Sequence, residues 1–264
     1  MANPLPPATR PTTAALLCIS GHDPSGGAGI QADIETLTAF GQPCVSLISC
    51  LTVQDSRGLS SAHCTAPELF EAQADALLAD IAISGIKLGA LGDARIARIT
   101  ARLIQQLRTA QPDLPVIVDP VLKAGGGGSL SDTALLDCLR NSILPLATLA
   151  TPNHDELQQL GSVRQLLDAG CQWLLLTQTD SSQGEDISHH LHGPAGEPHS
   201  FSVPRLDGHF HGSGCTLAAA IAALAVQGAS MPQAVEQALA FTQRCLERAR
   251  PLGQGQLFPN RSRP

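Results

Sequence analysis

The chain is poor in positive charge: it has two lysines in 264 residues and a formal net charge of −7. That balance excludes a general binder of nucleic acid or of anionic membrane surfaces. Small anions can still be held locally by N–H groups. Cys-x-x-Cys pairs are lacking as well. The eight cysteines (18, 44, 50, 64, 138, 171, 215 and 245) are scattered, mostly in apolar stretches, and no Cys/His spacing matches a zinc site. No apolar run reaches membrane-spanning length. The opening MANPLPPATRPTT is polar and proline-rich where a secretory signal would be apolar. These absences lead us to expect reduced thiols in a cytoplasmic protein. Residues 1–12 and about the last dozen are expected to be loosely ordered tails. No linker, charge block or internal repeat divides the chain. At 43% hydrophobic and 15% charged residues it suits one α/β domain spanning 13–264.

What is present is an alternation of strand-like and helix-like stretches. AALLCIS (14–20) reads as a buried strand entering the glycine loop GHDPSGGAG, and IQADIETLTAF then places Ile30, Ile34 and Leu37 on one helical face. CVSLISCLTV (44–53) is strand-like, and APELFEAQADALLADI (66–81) is an amphipathic helix. GIKLGAL is a short strand, and ARIARITARLIQQL (94–107) is a helix with arginines on its wet side. PVIVDPV (115–121) is an apolar strand running into LKAGGGG. Then come a helix near 131–144, the strand end TLATPN, helices near 154–169 and the strand WLLLT (173–177). The weaker stretch 187–205 suits an antiparallel hairpin, and helices at 213–227 and 232–249 close the chain. Continuous apolar strands between helices predict a mostly parallel sheet covered on both faces. Ligands of such sheets bind at the carboxyl ends of strands. The glycine loops 21–29 and 125–128 both fall there.

Four stretches are candidates for chemistry. In HFHGSGCTLAAAIAAL (209–224) a cysteine follows Gly-Ser-Gly at the start of a long Ala/Leu helix. The first N–H groups of a helix lack intrahelical partners, its dipole is positive there, and glycines let the backbone wrap an anion. A thiol in that position is expected to have a lowered pKa, so Cys215 is a candidate thiolate or proton acceptor. The plain alternative is a small half-buried cysteine at a helix start. GHDPSGGAGIQAD (21–33) is a second glycine loop opening a helix, or simply a tight βα turn. DPVLKAGGGG sets Asp119 at a strand end, suited to Mg²⁺, with Lys123, suited to phosphate; a solvated loop pair explains them equally. TPNHDE puts Asn153 and Glu156 at i, i+3 on one helix face, although N-capping also accounts for Asn153. His189, His190, His192 and His199 are expected on surface loops. His209 and His211 flank the glycine turn within reach of a ligand, with a structural role expected of them.

Taken together, SGHDPSGGAGIQADIETLTAFG, LTVQD, IKLGAL, VDPVLKAGGGGSL, ATPNHDEL and HGSGCTLAAAIAAL resemble, in order, the hydroxymethylpyrimidine/phosphomethylpyrimidine kinases. These are thiamine-biosynthesis enzymes of the ribokinase-like superfamily, and the resemblance runs from about residue 14 to 256. It implies a three-layer α/β/α domain with a mostly parallel central sheet. It implies an ATP- and Mg²⁺-dependent kinase acting on a small aminopyrimidine alcohol and its monophosphate. Neither a nucleic-acid nor a membrane partner is implied, and a homodimer is compatible with it. On this resemblance Cys215 is the catalytic residue, beside an anion hole of Gly212, Ser213, Gly214 and its own N–H. Gly21, Asp33 and Gln54 are the pyrimidine contacts, and a carboxamide at Gln54 can pair with a ring nitrogen and its exocyclic amine. Asn153 and Thr177 face the nucleotide, and Asp119 and Glu156 serve the cation. One departure stands out: Thr177-Gln178-Thr179-Asp180 replaces the Lys-Gly-Gly-His stretch with which many relatives touch ATP. Lys123, whose loop is expected to fold over the nucleotide, is our candidate to restore that charge, whereas Lys87 has no phosphate role in this resemblance. A pyridoxal kinase of the same fold and a catalytically silent pyrimidine-binding protein are the alternatives.

Overall fold

The computed structural model describes residues 13–123, 130–177, 184–194 and 196–262. A nine-stranded sheet runs through the molecule in the order β3-β2-β1-β4-β5-β6-β7-β8-β9. Its centre is parallel: β1 (Ala15–His22), β2 (Cys44–Gln54), β4 (Ile83–Leu88), β5 (Val116–Val118), β6 (Leu149–Ala150) and β7 (Trp173–Thr177). Both margins are antiparallel, with β3 (Leu59–Cys64) on β2 and the hairpin β8 (Asp186–His192) with β9 (His199–Pro204) on β7.

Alternate residues of the central strands point into two separate cores. Leu17 and Ile19 of β1 pack with Ile86, Val118, Phe70 and Ile96, under α2 (Pro67–Asp80) and α3 (Ala94–Ala110). Leu16 and Cys18 pack with Ile117, Leu149 and Leu175 on the opposite face. That second core lies under α1 (Gly29–Ala39), α7 (Ser213–Val226) and α8 (Met231–Glu247). Strands buried on both faces must be apolar at every position, which is why they read as continuous hydrophobic runs. In α7 every residue from Cys215 to Leu224 is buried. Its alanines allow close approach to the sheet on one side and to α8 on the other.

The expected elements are present with small changes of extent. The stretch near 131–144 begins as α4 (Thr133–Cys138) and then widens into a π-helical turn over Leu139–Ile143. The 154–169 region is two short helices, α5 (His154–Leu160) and α6 (Val163–Asp168). Strand β3 is an addition, because LSSAHC is half exposed and carries little hydrophobic pattern. Two expectations are corrected. His189, His190, His192 and His199 lie on β8 and β9, not on loops, and His189 is buried. Among the described residues, the stretch up to 262 is not a loose tail either: Phe258 and Arg261 are buried, and Arg250 and Phe258 exchange backbone hydrogen bonds at 2.9 Å. The expected N-terminal tail, 1–12, lies outside the described residues.

The chain leaves β1 toward β2 and β3, then returns across β1 to β4. The order therefore reverses between β1 and β4, and the two loops that leave these strands diverge and open a crevice. The candidate site lies at that point. Among the described residues no helix is long and apolar enough to cross a membrane.

Candidate active site

A cavity of about 550 Å³ opens at the carboxyl ends of β1, β4 and β5. One wall is the first glycine loop. Asp23 organises it by accepting from Ser25 N at 2.9 Å, Ser25 Oγ at 2.7 Å and Ala28 N at 2.8 Å. Its second oxygen also meets His211 Nε2 at 2.8 Å, bridging to the turn before α7. Burial works against this carboxylate, but the hydrogen bonds from His211, Ser25 and Ala28 win and hold it at about 2. The close packing of loop and turn explains two glycines. Gly212 has φ +81°, and a Cβ there would strike the Gly27 carbonyl; a Cβ on Gly27 would strike the His211 ring.

The opposite wall is the start of α7. Ser213, Gly214 and Cys215 occupy its first turn, Gly212 is the N-cap, and all four line the cavity. The Cys215 thiol is buried beside the Asp119 carboxylate and the Gly29 N–H, both of which act on it electrostatically. Here an expectation is overturned: Cys215 is not a thiolate. Burial pushes its pKa up to about 12; Lys87 opposes this, while the Asp119 and Asp33 charges add to it. A helix N-terminus cannot offset desolvation when the thiol is enclosed and faces a carboxylate. Asp119 itself is lifted to about 6, by burial first and by Asp33 next, with Lys87 and Cys215 opposing.

Beneath the floor lies a buried ion pair. Lys87 Nζ of β4 stands 2.7 Å from Asp33 Oδ1 of α1, and both side chains are fully buried. Burial is the largest single influence and disfavours the charged lysine, but the Asp33 contact and the Asp119 charge act with the other nearby groups to keep it protonated. Asp33 is therefore not on the cavity wall; its carboxylate is spent on Lys87 below Cys215 and Asp119.

The remaining expected residues do reach the cavity. Gly21 and Gln54 line one end, Asp119, Glu156, Asn153 and Thr177 the middle, and Lys123 the rim. Asn153 caps α5 through its side chain, and Glu156 completes a capping box by accepting Asn153 N at 3.0 Å. Both readings of Asn153 and Glu156 thus coexist, since a capping pair can still present a carboxylate oxygen to the cavity. Thr177 is fixed by hydrogen bonds to Pro152 O. The stretch 178–180 and the glycines 125–128 lie outside the described residues. Among the described residues no cluster of three or more His, Cys, Asp or Glu forms a metal cage. Asp119 and Glu156 suit instead a cation that keeps waters and shares phosphates, as Mg²⁺ does.

Glu156 is raised from 4.5 to about 7, by burial first and by the Asp119 charge next. The folded chain therefore holds a proton that the unfolded chain releases between those values. This contribution to stability is full below pH 4.5 and lost as pH rises through 7. Glu156→Gln, whose amide oxygen can still accept from Asn153, should gain on the order of 1–3 kcal/mol at pH 8 and nothing at pH 4. Melting curves at the two pH values check this, and equal gains at both would refute the linkage.

The sequence matches the phosphomethylpyrimidine kinase family over residues 23–260. A relative in Streptomyces coelicolor, a hydroxymethylpyrimidine/phosphomethylpyrimidine kinase, is 35% identical, covering 97% of this chain and 96% of its own. The fold is shared with a pyridoxal kinase from Bacillus subtilis solved as an ADP complex, at TM-score 0.83 and 24% identity over 95% of this chain and 98% of that one. A phosphomethylpyrimidine kinase from Clostridium difficile superposes at TM-score 0.73 and 24% identity, over 88% and 99% respectively. A capped glycine loop, a cysteine behind a glycine turn and two raised carboxylates share one cavity in a chain matched along nearly its whole length, and this protein belongs to the phosphomethylpyrimidine kinase family.

Proposed function

We propose that the protein uses MgATP to phosphorylate 4-amino-5-hydroxymethyl-2-methylpyrimidine and then its monophosphate, supplying thiamine biosynthesis. The observation that carries this reading is that one cavity holds a carboxamide, Gln54, together with the Cys215 turn and the carboxylates Asp119 and Glu156. Gln54 and the loop from Gly21 take the aminopyrimidine. The nucleotide lies toward Asn153, Thr177 and the apolar end of Ile187, Val203 and Leu239. Asp119 and Glu156 would hold Mg²⁺, whose chemistry there is to neutralise phosphate charge.

In the reaction the hydroxymethyl oxygen forms a bond to the γ-phosphorus as the bond to the ADP oxygen breaks. With Cys215 neutral, the alcohol proton passes to Sγ while the thiol's own proton moves to the neighbouring Asp119 carboxylate. N–H groups at the start of α7 meet the charge on the transferred phosphoryl. Lys123, exposed at the rim, adds positive charge toward the nucleotide.

The test is a two-step assay that follows mono- and diphosphate formation from the pyrimidine, with pyridoxal turned over alongside. Preferential use of pyridoxal would transfer the reading to a pyridoxal kinase, and ATP consumption with neither alcohol would overturn it. Gln54→Leu should weaken pyrimidine binding by roughly 1–3 kcal/mol, because the ring amine loses its acceptor. Calorimetry reads this directly, and an unchanged affinity would remove Gln54 from the site.

A further inference from the structure

The glycine loop and the Cys215 turn come from opposite ends of the chain, and neither contributes to a sheet. Their separation sets the distance between a substrate held on one and the anion hole on the other. Besides the Asp23–His211 contact and the packing of Gly27 against Gly212, groups from residues 256–261 help fix this separation. The Arg261 guanidinium is buried, although its carrier lies beyond the final helix. Its Nη2 donates to Gly27 O in the glycine loop, and its Nε donates to Thr216 Oγ1 at 2.8 Å, in the first turn of α7. Nη1 reaches Glu35 Oε2 of α1 at 3.1 Å. Thr216 Oγ1 in turn donates to the carbonyl of Gly212 at 2.8 Å, so the chain of hydrogen bonds ends on the N-cap of the anion-binding helix.

The segment carrying Arg261 is itself anchored on the site. Leu257 N donates to His209 O at 2.7 Å and His211 N to Leu257 O at 2.9 Å, bracketing the glycine turn. The Phe258 ring stands edge-on to His211, and Gln256 N donates to Ser56 O at 2.8 Å beyond β2. A planar guanidinium can serve three acceptors at once in fixed directions, which a lysine cannot.

We infer that Arg261 is a positioning residue for phosphoryl transfer, its guanidinium clasping the pyrimidine-side glycine loop to the first turn of α7. This rests on the kinase reading above. A misplacement on the order of 1 Å between reacting groups costs up to about 100-fold in rate. Arg261→Met is therefore expected to lower kcat per folded enzyme by about 10–100-fold, with KM for ATP moving less than about 2-fold. Arg261→Lys, which keeps the charge and one of the contacts, should fold readily and show the same split at smaller size.

Hydrogen exchange gives a readout independent of turnover. Both variants should lose protection at 26–29 and 212–216 together, while the strands of the sheet keep theirs. A purely structural arginine would instead lower protection throughout and leave kcat per folded enzyme unchanged; that outcome, or unchanged protection at both segments, overturns the clasp. If the wild-type protein turns over no pyrimidine, the kinase reading fails, and the exchange pattern by itself decides whether the clasp exists.

Discussion

Replacing Cys215 by alanine should leave a folded protein that has lost a factor on the order of 10²–10⁴ in kcat. The thiol lies beside the Asp119 carboxylate and the Gly29 N–H at the mouth of the anion-binding turn. Its removal interrupts the path by which the alcohol proton leaves. Affinity for ATP should hardly change, because the first-turn N–H groups remain. The cavity left by one sulfur is small, so melting should shift only slightly. Steady-state kinetics on the folded variant decide the matter: a kcat close to wild type would reduce Cys215 to packing. The same geometry bears on pH. A thiol raised to about 12 and carboxylates raised to about 6 and about 7 place the acidic limb of the rate profile with Asp119 and Glu156, not with the cysteine.

Lys87→Met should cost about 3–5 kcal/mol, enough to leave much of the protein unfolded. The mutation strands the Asp33 carboxylate in a site with no access to water and no other cation in contact. Removing both charges is a different matter, because two apolar side chains of similar volume avoid the desolvation that the ion pair must overcome. Lys87→Met combined with Asp33→Leu is therefore expected to recover most of the lost stability. Denaturant titration of wild type, both single variants and the double variant forms the cycle. Additive losses would show that the pair does not couple. The double variant also tests what the pair does for chemistry. Lys87 lowers Asp119 more than Asp33 raises it, so the acidic limb of the rate profile should move to higher pH in the refolded double variant.

Much of the fold was legible because its strongest signals are local. A strand buried on both faces, such as Ala15–His22, must be apolar throughout, and α7 must be small and apolar to lie between sheet and helix. Strand β3 escaped because an exposed edge strand bears no such constraint. Asp119, Glu156 and Gln54 reach the cavity because their stretches sit at or just beyond strand ends, where the topology of the sheet sends them to one crevice, and Cys215 reaches it from the start of α7.

Asp33 and Lys87 did carry a readable clue. Asp33 shares a helical face with Ile30 and Leu37, and Lys87 interrupts an apolar strand. Two opposite charges on two buried faces must meet or pay for isolation.

Sequence alone thus determined the layered α/β architecture, the crevice at the strand ends and the residue types that line it. These follow from periodicity and from backbone conformations that only glycine adopts readily. The tertiary structure decided the charge states and the pairings: the neutral Cys215, the Lys87–Asp33 pair below the floor, the Asp23–His211 bridge and the Arg261 clasp. Each of these depends on desolvation and on partners up to 234 residues away along the chain, which local pattern does not specify.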